Sequence, residues 1–376
     1  MTEKRFGFPE KIEISEIVQR KIDEAFEQIE REEKVSMKYK KDKHVFVRQI
    51  AAAAAVCAVM IGGVSAAAAI HHYWGRGMQG NIQATDDQQQ QLTDDNVAKV
   101  YRESPNYVDL AVTENGVTIA PDTVIVDERF AYLSFTVSGC SAEEGAEPGF
   151  EEVSIYRGDD PSARLDMSGT MYNGIISDER GTPVYEDGSP IEMDASGGIV
   201  YRYTDKDGNM EYIIQAKNTD AQGSLLGEKV HISLKNLGTL SNASFSSVKD
   251  GTWELELTLP EQSSSRSFEI NEKVPGTDFV LESASISPIS MRIDYSASKA
   301  PDGHNNESGI PAVRGVVLKD GTKLPYLLDG GSMGYTDSTQ TKACQMAGYD
   351  RVVDVDNIAA LIIATALGTV EMPITK

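Results

Sequence analysis

The chain has 376 residues and a net charge of −23 at pH 7, from 35 basic and 58 acidic side chains. That length accommodates two or three domains, and the acidic excess argues against a broad electrostatic surface for nucleic acid or anionic lipid. Three cysteines, Cys57, Cys140 and Cys344, make no disulfide framework; Cys140 and Cys344 could pair, but they fall in different expected domains and read as isolated thiols.

Residues 1–46 read as a cytoplasmic amphipathic helix and a basic linker. In "ISEIVQRKIDEAFEQIEREE" (14–33), Ile14, Ile17, Val18, Ile22, Ala25, Phe26 and Ile29 recur at three- and four-residue spacing and form one apolar stripe. A short helix gains little from propensity alone and needs a cover for such a face. Its polar face is acidic, so the anionic inner leaflet is a poor cover. A protein partner held by Ile17, Val18, Ile22, Phe26 and Ile29 is expected, with self-association or partial disorder as the alternatives.

Residues 47–72 follow as a transmembrane helix. No charged residue occurs in the 22 positions from Gln49 to Ile70. As a helix they reach about 33 Å, enough for a hydrocarbon core of about 30 Å. Ten of the 22 are alanine; Ile50, Val56, Val59, Met60, Ile61, Val64 and Ile70 supply the apolar weight. The small residues of "VSAAAA" (64–69) leave cleavage near Ala69 open. Small residues four apart, such as Gly62 and Ala66, would permit a homodimer through the span. Lys40, Lys41, Lys43 and Arg48 flank the run on one side, whereas residues 71–90 hold Arg76 alone. The basic flank marks the cytoplasmic side. The expectation is therefore a single-pass cell-membrane protein, N-terminus inside and its bulk extracytoplasmic. Lys40, Lys41, Lys43 and Arg48 would anchor the inner headgroups, and Tyr73 and Trp74 the outer ones.

Residues 73–106, with "DDQQQQLTDD", read as a polar stalk, helical near its end, whose glutamines are a spacer. The texture beyond is strand and turn. Asn115-Gly116 and Asp320-Gly321 are tight-turn signals between β-rich runs. "GGIVYRYTDKDGNMEYIIQAK" (197–217) reads as a hairpin. "EKVHISLKNLG" (228–238) and "TWELELTLP" (252–260) alternate as half-buried antiparallel strands do, and Trp253 is expected to plug a core. The fold class is mainly β: after the two helices come two extracytoplasmic antiparallel, sandwich-like domains, 107–260 and 267–376. The apolar run 358–367 is too short to span and reads as a buried strand.

No constellation for chemistry emerges. His231 sits in a strand pattern and His304 in a polar loop, with no metal-ligand spacing. "DKDGN" (205–209) lacks the glutamate of a calcium loop and reads as a turn. Neither catalytic residues, nor a metal, nor a cofactor are expected.

Three stretches carry a resemblance. "FPEKIEISEIVQRKIDEAFEQI", the span with its basic flank, and "NGVTIAPDTVIVDERFAYLSFTVSG" (115–139) resemble a family of Gram-positive single-pass membrane proteins of formerly unknown function, regarded as negative effectors of extracytoplasmic-function sigma factors. "SASISPISMRIDYSA" (283–297) looks like that family's C-terminal β domain. Behind the span the family pattern is an apolar, proline-containing stretch, where this chain is glutamine-rich. The resemblance implies an anti-sigma-factor-like regulator: the helix would hold a sigma factor, and the outer domains would sense an envelope signal. The alternative is a membrane-tethered adhesion or envelope protein without signalling.

Overall fold

The computed structural model describes residues 74–374, except 103, 105–106, 143–144, 179, 220–222, 242–243 and 301–308. The helix 14–33, the apolar run 47–72, the basic flank and Tyr73 lie outside the described residues. Among those described, no helix is long and apolar enough to cross a membrane.

The chain opens with α1 (Arg76–Asn81), α2 (Asp86–Asp94) and β1 (Ala98–Val100). After a short 3-10 turn come β2 (Val112–Glu114), β3 (Val117–Val126), β4 (Phe130–Ser138), β5 (Glu147–Arg157) and β6 (Asp166–Met171). A small ribbon, β7 (Ile175–Ser177) with β8 (Pro183–Tyr185), precedes β9 (Met210–Lys217), β10 (Lys229–Ser241) and β11 (Ser244–Thr258). The second half runs through β12 (Arg266–Lys273), β13 (Phe279–Ile286), β14 (Ser290–Ala297), β15 (Ala312–Leu318) and β16 (Lys323–Leu324). It ends with β17 (Leu328–Tyr335), β18 (Lys342–Tyr349), β19 (Ile358–Thr365) and β20 (Gly368–Pro373).

The fold is mainly β, and its ladders are antiparallel. One sheet has the order β1-β3-β4-β9-β6, with β2 also on β3, and a second the order β11-β10-β5. They share a core that includes Val117, Leu133, Phe135, Ile214, Leu234 and Trp253. Trp253 is fully buried and donates its indole N–H to the Val117 carbonyl at 3.1 Å. In the second half, β12-β13-β14-β18-β17 faces β16-β15-β19-β20 across Leu281, Ile293, Val316, Tyr349 and Leu361. The run 358–367 supplies β19, a strand buried along most of its length.

Turn chemistry sets the registers. Asn115 and Gly116 have φ of 48° and 79°, the left-handed pair of the two-residue β2–β3 hairpin. Gly321, at φ 88°, closes the turn between β15 and β16. The hairpin expected over 197–217 forms only in part. Its turn is present: the Asp205 carboxylate accepts the N–H groups of Asp207 and Asn209, each at 2.8 Å. Its first arm makes a single bridge to the second, Thr204 to Met210, and another, from Ile199, to Met193. The reason is competition: β4 and β6 already pair with the two edges of β9.

The segment expected as a stalk is folded. α1, α2 and β1 pack onto the sheet, and β1 pairs with β3 from Ala98–Ile125 to Val100–Thr123. α2 begins with a capping box, in which Thr85 and Gln88 exchange side-chain and backbone hydrogen bonds.

Candidate functional site

β4 shows how one strand serves two cores. Ala131, Leu133, Phe135 and Val137 face the sandwich interior. Phe130 and Tyr132 point the other way, into a separate cluster. Alternation across the pleat puts both sets on one strand, and a strand covered on both faces reads as a near-continuous apolar run. That second cluster joins three parts of the chain. Trp74, Met78, Ile82, Leu92 and Val97 come from the segment 74–100; Ile125, Phe130 and Tyr132 from the first half; Ile289, Cys344 and Met346 from the second.

Trp74 is therefore not an exposed headgroup anchor: it is fully buried in this cluster. Its backbone N–H donates to Gln89 Oε1 at 3.0 Å, and Gln89 Nε2 donates to Gln79 Oε1 at 2.7 Å. One glutamine of the run is thus a fully buried strut, while Gln90 and Gln91 are exposed. The other predicted site residues, Ile17, Val18, Ile22, Phe26, Ile29, Lys40, Lys41, Lys43, Arg48 and Tyr73, lie outside the described residues.

Polar groups fix the segment on the first half. A register shift in β3 between Pro121 and Val124 accompanies a buried Asp122. Asp122 accepts hydrogen bonds from the Gly75 N–H, from Thr123 Oγ1 at 3.1 Å and from Ser134 Oγ at 3.3 Å. Beside it, Glu211 on β9 is 7% exposed and accepts the Gly77 N–H. The approach requires glycine. A Cβ on Gly75 would stand 2.0 Å from Asp122 Oδ2, one on Gly77 2.7 Å from Ile213 Cδ1, and one on Gly80 2.2 Å from the Tyr172 ring. Arg76 pairs with a third acid, and its charge also acts on Glu211. Its Nε lies 2.7 Å from Glu186 Oε1, its other nitrogens reach the Arg202 and Tyr203 carbonyls, and its guanidinium covers the Tyr172 ring at 4.8 Å. Arg102 lies 3.4 Å from Asp122. Burial, then the neighbouring Asp122, raises the Glu211 carboxyl to about 7. Burial also raises Asp122, against the pull of Arg102 and its hydrogen bonds.

The second half grips the same segment. Gln83 donates its N–H to the Asp350 carbonyl and accepts from the Val352 N–H, each at 2.8 Å. The two halves also meet directly. Asp127, 2% exposed, accepts the N–H groups of Arg129 and Phe130 at 2.7 Å and the hydroxyls of Ser287 and Ser290. The Tyr132 hydroxyl accepts from the Tyr349 N–H at 3.2 Å and from Gln215 Nε2 at 2.9 Å. Cys344 and Cys140 are free thiols, and burial pushes the Cys344 thiol up to about 11. A cleft of about 330 Å³ lies at this junction, with Asn81, Gln83, Tyr172, Asn173, Tyr326 and Asp329 among its lining residues.

This dock stands where a polar stalk was expected over 73–106. The signal for it was "WGRGMQG" (74–80), where glycines follow a tryptophan in a stretch otherwise suited to a spacer.

A family model described as a domain of unknown function (DUF4179) matches residues 41–139. The match takes in Lys41, Lys43 and Arg48 of the basic flank, the apolar run, the docked segment and the strands β1 to β4. A search of curated proteins found no match. Among solved structures, "the conserved domain protein from Bacillus anthracis" is similar at 15% identity and a TM-score of 0.39, over 69% of this chain and 78% of that one.

Proposed function

We propose that this chain is a single-pass, anti-sigma-factor-like regulator. The amphipathic helix 14–33 holds an extracytoplasmic-function sigma factor through Ile17, Val18, Ile22, Phe26 and Ile29, and the β-rich region reads an envelope signal. The family matched over 41–139 is one associated with anti-sigma-factor-like proteins, which supports the class. The observation that carries the transducing part is the dock: the segment that follows the apolar run in sequence is packed against both β halves. A rearrangement of the halves therefore changes what holds that segment, which a passive tether would not need.

The test is capture of the host's extracytoplasmic-function sigma factors by the full chain in detergent, beside the Ile22→Asp/Phe26→Asp variant. Specific capture that the double variant loses is the expected result. No capture by the unmodified chain would favour a membrane-tethered surface protein.

A further inference from the structure

Beside its apolar contacts, α1 is held on the first sheet by two buried carboxylates that receive the N–H groups of Gly75 and Gly77, an arrangement whose strength depends on the charge they carry. We propose that Asp122 and Glu211 form a protonation-gated latch on residues 74–82, which grips in acid and loosens as the surroundings become alkaline.

The charged and titratable groups around the pair account for this. From α1 comes Arg76, already engaged by Glu186 and two carbonyls. Arg102 lies against Asp122. Tyr107 feels the charge of Asp122, and Tyr172 that of Glu211. Arg102 lies 3.4 Å from Asp122, and the charges of Arg76 and Arg102 both favour an ionised Glu211, but less than burial and the neighbouring Asp122 oppose it. The hydrogen bonds from Gly75 and Gly77 favour ionised carboxylates, but burial and mutual repulsion outweigh them at Glu211. Docked Glu211 therefore keeps its proton at pH values where an undocked glutamate has lost it. Through Glu211, docking is strongest below the ordinary value of 4.5 and weakens as pH rises towards about 7, and the raised Asp122 carboxyl acts in the same direction. The latch rests on the burial of the two acids, on their meeting at Gly75, where an added Cβ would lie 2.0 Å from Asp122 Oδ2 and 2.9 Å from Glu211 Oε2, and on the raised Glu211 carboxyl, and it does not depend on whether residues 14–33 bind a sigma factor.

Hydrogen exchange of the full chain in lipid nanodiscs, corrected for intrinsic rates, tests it. Protection of amides 74–82 should fall at least about tenfold between about pH 5 and about pH 8, as one pKa unit corresponds to a tenfold change in the docking equilibrium. In Glu211→Gln, which retains an acceptor for the Gly77 N–H, the part of the pH response that Glu211 carries should be lost, leaving the smaller part due to Asp122. Unchanged protection in the unmodified chain, or an unchanged pH response in a folded Glu211→Gln, overturns the proposal. Should Glu211→Gln not fold, Asp122→Asn serves instead: removing the like charge should move the loss of protection to lower pH, and no movement overturns the proposal.

Discussion

Single residues in the docked segment carry unequal weight. Gln89 is fully buried and fastens Trp74, Gln79 and the Ala84 carbonyl. Its neighbours Gln90 and Gln91 are exposed. Truncation of Gln89 to alanine leaves the buried Trp74 N–H without its acceptor, a cost of about 1–3 kcal/mol, whereas the Ala84 carbonyl keeps its bond from Gln79 Nε2. Gln90→Ala should be neutral within about 0.5 kcal/mol. Thermal unfolding of the two variants separates them; equal effects would return the run to the role of a spacer. Gly75→Ala is a second residue-scale case. Gly75 has an ordinary φ of −63°, so the glycine answers to space and not to backbone freedom. Its new Cβ would meet Asp122 Oδ2 at 2.0 Å, and overpacking of this kind costs about 1–3 kcal/mol. The same melting experiment measures it.

The elements show what the sequence made legible and what it did not. Alternation in β10 and β11, the Asn115-Gly116 turn and the buried Trp253 could be read because each depends on neighbours a few residues away or on one face of one strand. The dock could not be read that way. Asp122 and Glu211 occupy strand positions where an acid ordinarily faces water, and only tertiary packing covers them. Gln89 has the composition of a spacer and the contacts of a strut. The arm 197–203 pairs poorly because β6 holds the edge of β9, a competition between segments far apart in sequence. At this scale α1, α2 and β1 should behave as one body, since Met78, Ile82, Leu92, Val97 and Ala98 share one apolar cluster. Ile82→Ala removes a fully buried side chain from it, at a cost of about 2–5 kcal/mol. Limited proteolysis should then cut throughout 74–100; cleavage confined to α1 would deny that the three elements hold together.

Across the whole molecule, the segment 74–100 is the place where the two β halves act on the same residues. The first half holds Gly75 and Gly77 through carboxylates, and the second holds Gln83 through its backbone. The halves also hold each other through Asp127 with Ser287 and Ser290. Residues that follow the apolar run in sequence therefore contact both halves, the arrangement on which the proposed transducing role rests. Met346→Ala, more than 240 positions further along the chain than the last residue of β1, should lower protection of amides 74–82 because Met346 packs in their cluster.

The most direct test of this account is the environment of Trp74 in the full chain reconstituted into nanodiscs, with Trp74→Phe to isolate its emission from that of Trp253. Quenching by acrylamide reports contact with water, and quenching by brominated lipid reports contact with the bilayer. The account predicts that neither reaches Trp74, because both tryptophans are fully buried in protein. Efficient quenching of Trp74 by brominated lipid would place it in the membrane interface, and the dock between the β halves would not exist.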